Sequence, residues 1–224
     1  MTLAMPDSIH PTDLPAGYPA YLGYVDGKWP TCATIRAQHP TAHHICLTVT
    51  GATIDAHGID CEPGNPDAAS SAGWVHSKLS SAPQSRPVVY ASVHGSPGYG
   101  MPDVLHQLTA HGITRDKVRL LSAHYTGHAH ICGPRSCGAI SIDMDGTQWT
   151  DQHPGTPGTM IDMSEVSDTF FGGTVTTPPA QITAPPGTWL DAILTGRGTN
   201  GQLYVAEWNG KAWRTVLWPV QQAP

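Results

Sequence analysis

Between Pro87 and Val93 the chain reads PVVYASV, an apolar run too short for a helix and without a polar face. A strand that is apolar on both faces must be covered on both, as happens in a parallel sheet flanked by helices. The run stands between two helical segments. NPDAASSAGWVHSKLSSA (65–82) opens with an Asn cap and a Pro at the first helical position. MPDVLHQLTAHG (101–112) sets Val104, Leu105 and Leu108 at helical spacing and ends in Gly. PTCATIRAQHP (30–40) is a shorter helix bounded by prolines. Strand-like runs fall at 20–26, 43–50, 58–62, 87–93, 118–125, 139–143, 147–150 and 159–163. Strands alternating with helices predict an α/β fold, and about eight strands suit a barrel. Residues 20–171 are too few for an ordinary (β/α) barrel of roughly 250 residues. The expectation is therefore a reduced TIM-like (β/α) barrel.

Outside that block the texture differs. Residues 1–19 carry four prolines and read as an irregular leader. It has no basic n-region, so a signal peptide is not expected. GGTVTTPPAQITAPPG (172–187) reads as an extended Pro/Thr-rich linker. Residues 188–224 then give short strand-like runs with four Trp (189, 208, 213, 218), which predicts a small β-unit. The net charge of −6 offers no electrostatic footprint for nucleic acid. No apolar run is long enough to span a bilayer.

The chemistry concentrates in GIDCE (58–62). Alternation along a strand projects Asp60 and Glu62 to one face, roughly 7 Å apart at their backbones. Like charges that close raise the proton affinity of one, and a carboxylic acid held neutral near pH 7 can act as a general acid. Such pairs serve glycosidic bond cleavage, although a lone D-x-E is also a common helix-rim feature. Two further acids strengthen the catalytic reading. Asp26 ends the strand at 20–26, and Asp162 lies in the closing strand. Acids on the first, middle and last strands meet at one mouth if the barrel closes.

The order YVDG, IDCEP, PVVYAS, AHYT, TQWTD and GTMIDMSEV over residues 20–171 resembles the family 25 glycoside hydrolases, the lysozyme-type muramidases. It looks most like a reduced variant of actinobacteria and their phages. The resemblance implies Asp26, Asp60, Glu62 and Asp162 as the acidic set, with Glu62 the general acid/base. Asp60 would orient the substrate's N-acetyl group or stabilise developing charge. Tyr90, Tyr125, Gln148 and Trp149 would contact the sugar. Four features depart from the family pattern: DGKWP follows Asp26 where a hydroxyl or small residue is usual, Ser164 replaces an Asn, one βα unit is shortened near TVTGATIDAHG, and Cys61 separates the two acids.

The resemblance implies hydrolysis of the β-1,4 bond between amino sugars, with peptidoglycan or another amino-sugar polysaccharide as partner and no cofactor. A phage-encoded product or virion component acting at the bacterial wall, with other virion proteins as further partners, fits that picture. A catalytically weak barrel serving as a structural or wall-binding module is the alternative.

HYTGHAHIC gathers His124, His128, His130 and Cys132, a plausible zinc set in residue type. Its spacing fits no common finger, so a plain loop at the pocket mouth is expected, with no metal. Cys132 and Cys137 have a spacing that a disulfide could close, whereas Cys32, Cys46 and Cys61 read as small apolar residues.

Overall fold

The computed structural model describes residues 2–171 and three strands at 192–197, 203–208 and 213–217. In chain order the first part holds β1 (Thr2–Asp7), β2 (Ala20–Tyr24), α1 (Cys32–Gln38), β3 (His43–Thr48), β4 (Gly58–Cys61), α2 (Ala68–Ser81), β5 (Val88–Ser92), α3 (Met101–Ala110), β6 (Arg119–Ala123), β7 (Gly146–Pro154) and β8 (Met160–Ser167). β1 to β8 close into a barrel in sequence order. β1 to β7 run parallel, while β8 is antiparallel to both β7 and β1. The fold is thus a reduced α/β barrel, with α-helices only after β2, β4 and β5 among the described residues. None of these helices is long and apolar enough to cross a membrane.

PVVYASV behaves as its composition demands. Val88 and Tyr90 point into the barrel with Leu22, Leu47, Leu121 and Val166. Val89 and Ala91 point outward against Val75, Val104 and Leu108 of α2 and α3. The same alternation places Asp60 inside and Cys61 outside, where it packs among Ala68, Ala72 and Met101. Cys61 between two acids is therefore a core residue of the helix layer.

Two expectations are corrected here. The first barrel strand is Thr2–Asp7, inside the stretch read as a leader, and residues 139–143 form no strand. Pro6 and its proline-rich surroundings disguise β1. The strand tolerates Pro6 because it lies at the barrel's seam, laddered along β8 but meeting β2 only at Asp7. Ile140 and Ile142 instead belong to the long connection between β6 and β7 and pack on the core of the helix layer. Cys32 and Cys46 also depart from expectation, forming a disulfide between α1 and β3. Strand pairing sets Cys46 beside Gly23, whose missing side chain leaves room for Cys32 to come close.

The C-terminal strands β9 (Ala192–Arg197), β10 (Leu203–Trp208) and β11 (Trp213–Leu217) form an antiparallel sheet in the order β11-β10-β9. They belong to a second compact unit, separate from the barrel unit. The linker expected at 172–187, and Trp189 and Trp218, lie outside the described residues.

Candidate active site

The C-terminal ends of the parallel strands carry a cleft of about 250 Å³, with Tyr24, Asp26, Trp29, Asp60, Glu62 and Asn65 in its wall. β4 places Asp60 in the barrel mouth, and Glu62 follows just past the strand end. The turn through Pro63 and Gly64 is closed by the Asn65 N–H donating to the Glu62 carbonyl at 2.8 Å. Asn65 does not cap α2. The cap is Asp67, whose carboxylate accepts from the Ser70 N–H, and this leaves Asn65 in the cleft wall.

Asp60 is 3 % exposed, and its Oδ1 has no hydrogen-bond partner. Burial, then the charge of Glu62, push its carboxyl up to about 8, against a lowering contribution from the Asn65 side chain. Burial also raises Glu62, opposed by the Tyr90 hydroxyl. Asp60 is thus held neutral at pH 7.

A third acid of the mouth is one that motif matching missed. Asp7 ends β1, is 1 % exposed, and pairs in register with Asp162 of β8. Gln148 Nε2 donates to its Oδ1 at 2.9 Å, and the Tyr24 hydroxyl donates to its Oδ2 at 3.4 Å. Burial and the Asp162 charge drive its carboxyl well above the ordinary range. Burial, then Asp151, raise Asp162 to about 6, while a hydrogen bond with Asp7 works the other way. Asp7 therefore keeps its proton at pH values where an ordinary carboxyl has lost it.

Asp26 lines the same cleft but is committed elsewhere. It accepts from the hydroxyls of Thr48 (2.5 Å), Thr50 (2.8 Å) and Thr53 (2.7 Å) and from the Val49 N–H (2.8 Å). Burial pushes its carboxyl up, yet these donors outweigh burial and hold it below the usual range. β3 and β4 are joined without a helix, and Asp26 is the post to which that bare connection is tied.

Gln148 joins two of the expected sugar-contacting residues. The hydroxyls of Tyr90 (2.6 Å) and Tyr125 (2.8 Å) both donate to its Oε1. Tyr90 is buried, whereas Tyr125 stands 54 % exposed at the rim. Trp149 does not join them. It follows Gln148 on the strand and so faces the opposite side, where it packs against the cluster of Leu14, Tyr21, Ile161 and Met163. Trp29 stands in the cleft wall, as does Tyr24, and is 43 % exposed. Ser164, at the position of the family's Asn, is fully buried and its hydroxyl has no partner.

No known protein-family profile matches the chain, and neither does any curated protein. Solved structures do. A crystal structure of an uncharacterized Bacillus stearothermophilus protein aligns with TM-score 0.50 at 14 % identity, covering 75 % of this chain and 97 % of that one. The glycosyl hydrolase 25 GHIP of Streptococcus pneumoniae, described as a virulence factor participating in host cell invasion, aligns with TM-score 0.39 at 10 % identity, covering 74 % and 87 %. The first likeness supports the barrel fold; the second is a distant neighbour that happens to be a glycoside hydrolase.

Proposed function

We propose that this chain is a glycoside hydrolase that cleaves the β-1,4 bond between amino sugars of peptidoglycan or a related polysaccharide. The observation that carries the reading is the Asp60–Glu62 pair: two carboxyls in one cleft, one of them buried, neutral and lacking a partner for one oxygen. An unpartnered buried polar oxygen is costly in an empty site and is satisfied by a ligand group. An acetamide N–H of an amino sugar supplies that group. Its carbonyl oxygen, so oriented, attacks the anomeric carbon as the glycosidic bond breaks, and Glu62 gives its proton to the leaving oxygen. Glu62 then takes a proton from water, which opens the cyclic intermediate and restores the original anomeric configuration. Sugar in the cleft expels water and raises Glu62 further, which supplies the proton that the acid step needs. Trp29 offers a flat ring for a sugar face.

The resemblance in motif order is the support for the bacterial wall as the proposed place of action, in a phage-encoded product or virion component that also meets other virion proteins. Purified walls and the reducing ends released from them test the proposal. Glu62→Gln keeps shape but has no transferable proton, so hydrolysis should fall on the order of 10² to 10⁴-fold. Equal hydrolysis by parent and variant would reject the mechanism. Wall binding without hydrolysis by either would point to a structural or wall-binding module.

A further inference from the structure

The connection from Ala123 to Gly146 replaces a barrel helix with irregular chain, a length at which a compact fold usually needs some internal fastening. Four side chains converge within it. His124, His130, Cys132 and Cys137 hold their ligating atoms all within 4.8 Å of one another. His124 Nδ1 lies 3.3 Å from His130 Nε2, 3.4 Å from Cys132 Sγ and 3.2 Å from Cys137 Sγ. His130 Nε2 lies 3.5 Å from Cys132 Sγ. With Zn–N near 2.0–2.1 Å and Zn–S near 2.3 Å, the edges of a ligand tetrahedron come to about 3.3–3.8 Å. The nitrogen–nitrogen and nitrogen–sulfur separations fall in or just below that range.

The surroundings orient the donors. His130 Nδ1 donates to the His128 carbonyl at 2.8 Å, which leaves the Nε2 lone pair aimed at the cluster. The Cys132 N–H donates to Thr147 Oγ1 at 2.8 Å, and its carbonyl accepts from the Met144 N–H at 2.9 Å, so its position is set by the barrel. Both cysteines are buried, at 1 % and 6 % exposure. His128, part of the set suggested by sequence, is exposed and outside the cluster; Cys137 takes its place.

In the structure Cys132 and Cys137 are joined as a disulfide. We propose that His124, His130, Cys132 and Cys137 form a structural zinc site that fills when this disulfide is reduced. The reductant is a dithiol. It gives two electrons and two protons, the S–S bond breaks to two thiols, and the dithiol becomes its own disulfide. Zinc binding then displaces two protons to water, and two thiolates and two neutral imidazoles fill four positions. All four ligands come from the protein, so no position is left for substrate. The site's work is to fasten the connection to the end of β6, where the next residue, Tyr125, reaches Gln148 in the cleft. This inference does not depend on the glycosidase reading.

The test uses the full chain, reduced and freed of metal without oxygen, and titrated with Co(II) and then Zn(II). One equivalent of Co(II) should bind, with the visible bands of a tetrahedral site and a thiolate-to-cobalt charge-transfer band, and Zn(II) should bleach both. The oxidised chain should take up none. Cys137→Ser and His130→Ala should lose stoichiometric uptake, and His128→Ala should retain it. A reduced parent chain without the tetrahedral and charge-transfer bands would overturn the proposal, whatever the variants do. So would unchanged uptake by Cys137→Ser, or its loss in His128→Ala.

Discussion

Asp7 and Asp26 are both strand-end aspartates at the mouth, yet they differ in every physical respect. Asp26 is an ionised acceptor of four hydrogen bonds that hold a helix-less connection. Asp7 is buried, holds its proton well above the ordinary range and lies in register with Asp162. Asp26→Asn replaces an acceptor-only group by one with a donor facing three hydroxyls and an N–H. It should cost about 1–3 kcal/mol, seen as a lower thermal midpoint. Asp7→Asn imitates the protonated acid, accepting from Gln148 with its oxygen and donating to Asp162 with its amide. It should fold with a midpoint at or above the parent's and lose wall hydrolysis. Calorimetry and wall assays on the two variants together tell which aspartate serves the site. A destabilised Asp7→Asn with normal hydrolysis would reverse the assignment.

At the scale of elements, the position of the acids rests on how closely β4 and β5 approach. Gly58 begins β4 opposite Val88. A Cβ there would meet the Val88 carbonyl, lie 2.6 Å from Val88 Cβ and 2.8 Å from Leu47 Cδ2. Gly58→Ala should therefore destabilise the barrel by about 1–3 kcal/mol, as overpacking of a tight core does. In a domain of this size that lowers the thermal midpoint by roughly 2–4 °C per kcal/mol. A midpoint within error of the parent's would show that β4 and β5 can spread freely. Elements with regular signals were legible in the sequence: the two longer helices, the doubly buried β5 and the acid-bearing β4. β1 was not, because proline and the short polar turns around it conceal a strand whose ladder runs mostly to β8, far away in the chain.

On the scale of the whole barrel, several carboxyls gather at one end and a charge-paired cluster sits at the other. The mouth collects Asp7, Asp60, Glu62 and Asp162, while Arg86 and Arg115 pair with Asp145 on the connection entering β7, at the other end. Burial raises the mouth acids, so the folded chain keeps their protons to higher pH than the unfolded chain, where Asp titrates near 3.9. Stability from these groups is complete below about pH 4. It declines as pH rises through about 6 for Asp162 and about 8 for Asp60. His57 acts oppositely: burial lowers it to about 4, so its contribution is lost as pH falls from 6.5 towards that value. The thermal midpoint should peak in mildly acid solution and fall towards pH 8. Asp60→Asn should flatten the alkaline side. A parent profile that rises steadily to pH 8 would contradict the buried neutral acids.

Local periodicity is enough to specify an α/β barrel shortened by missing helices and to bring two neighbouring acids, Asp60 and Glu62, to the end of one strand. The partnerships between elements come from the packed fold. Antiparallel β8 sets Asp162 in register with Asp7, the side-by-side packing of β5, β6 and β7 brings Tyr90 and Tyr125 to Gln148, and the fold of the β6–β7 connection sets Cys137, not His128, beside His124. Trp149 faces the far side of the strand from Gln148. These pairs are distant in sequence or set by strand register, and no local pattern encodes which strand closes the ring or how far it slides before it does.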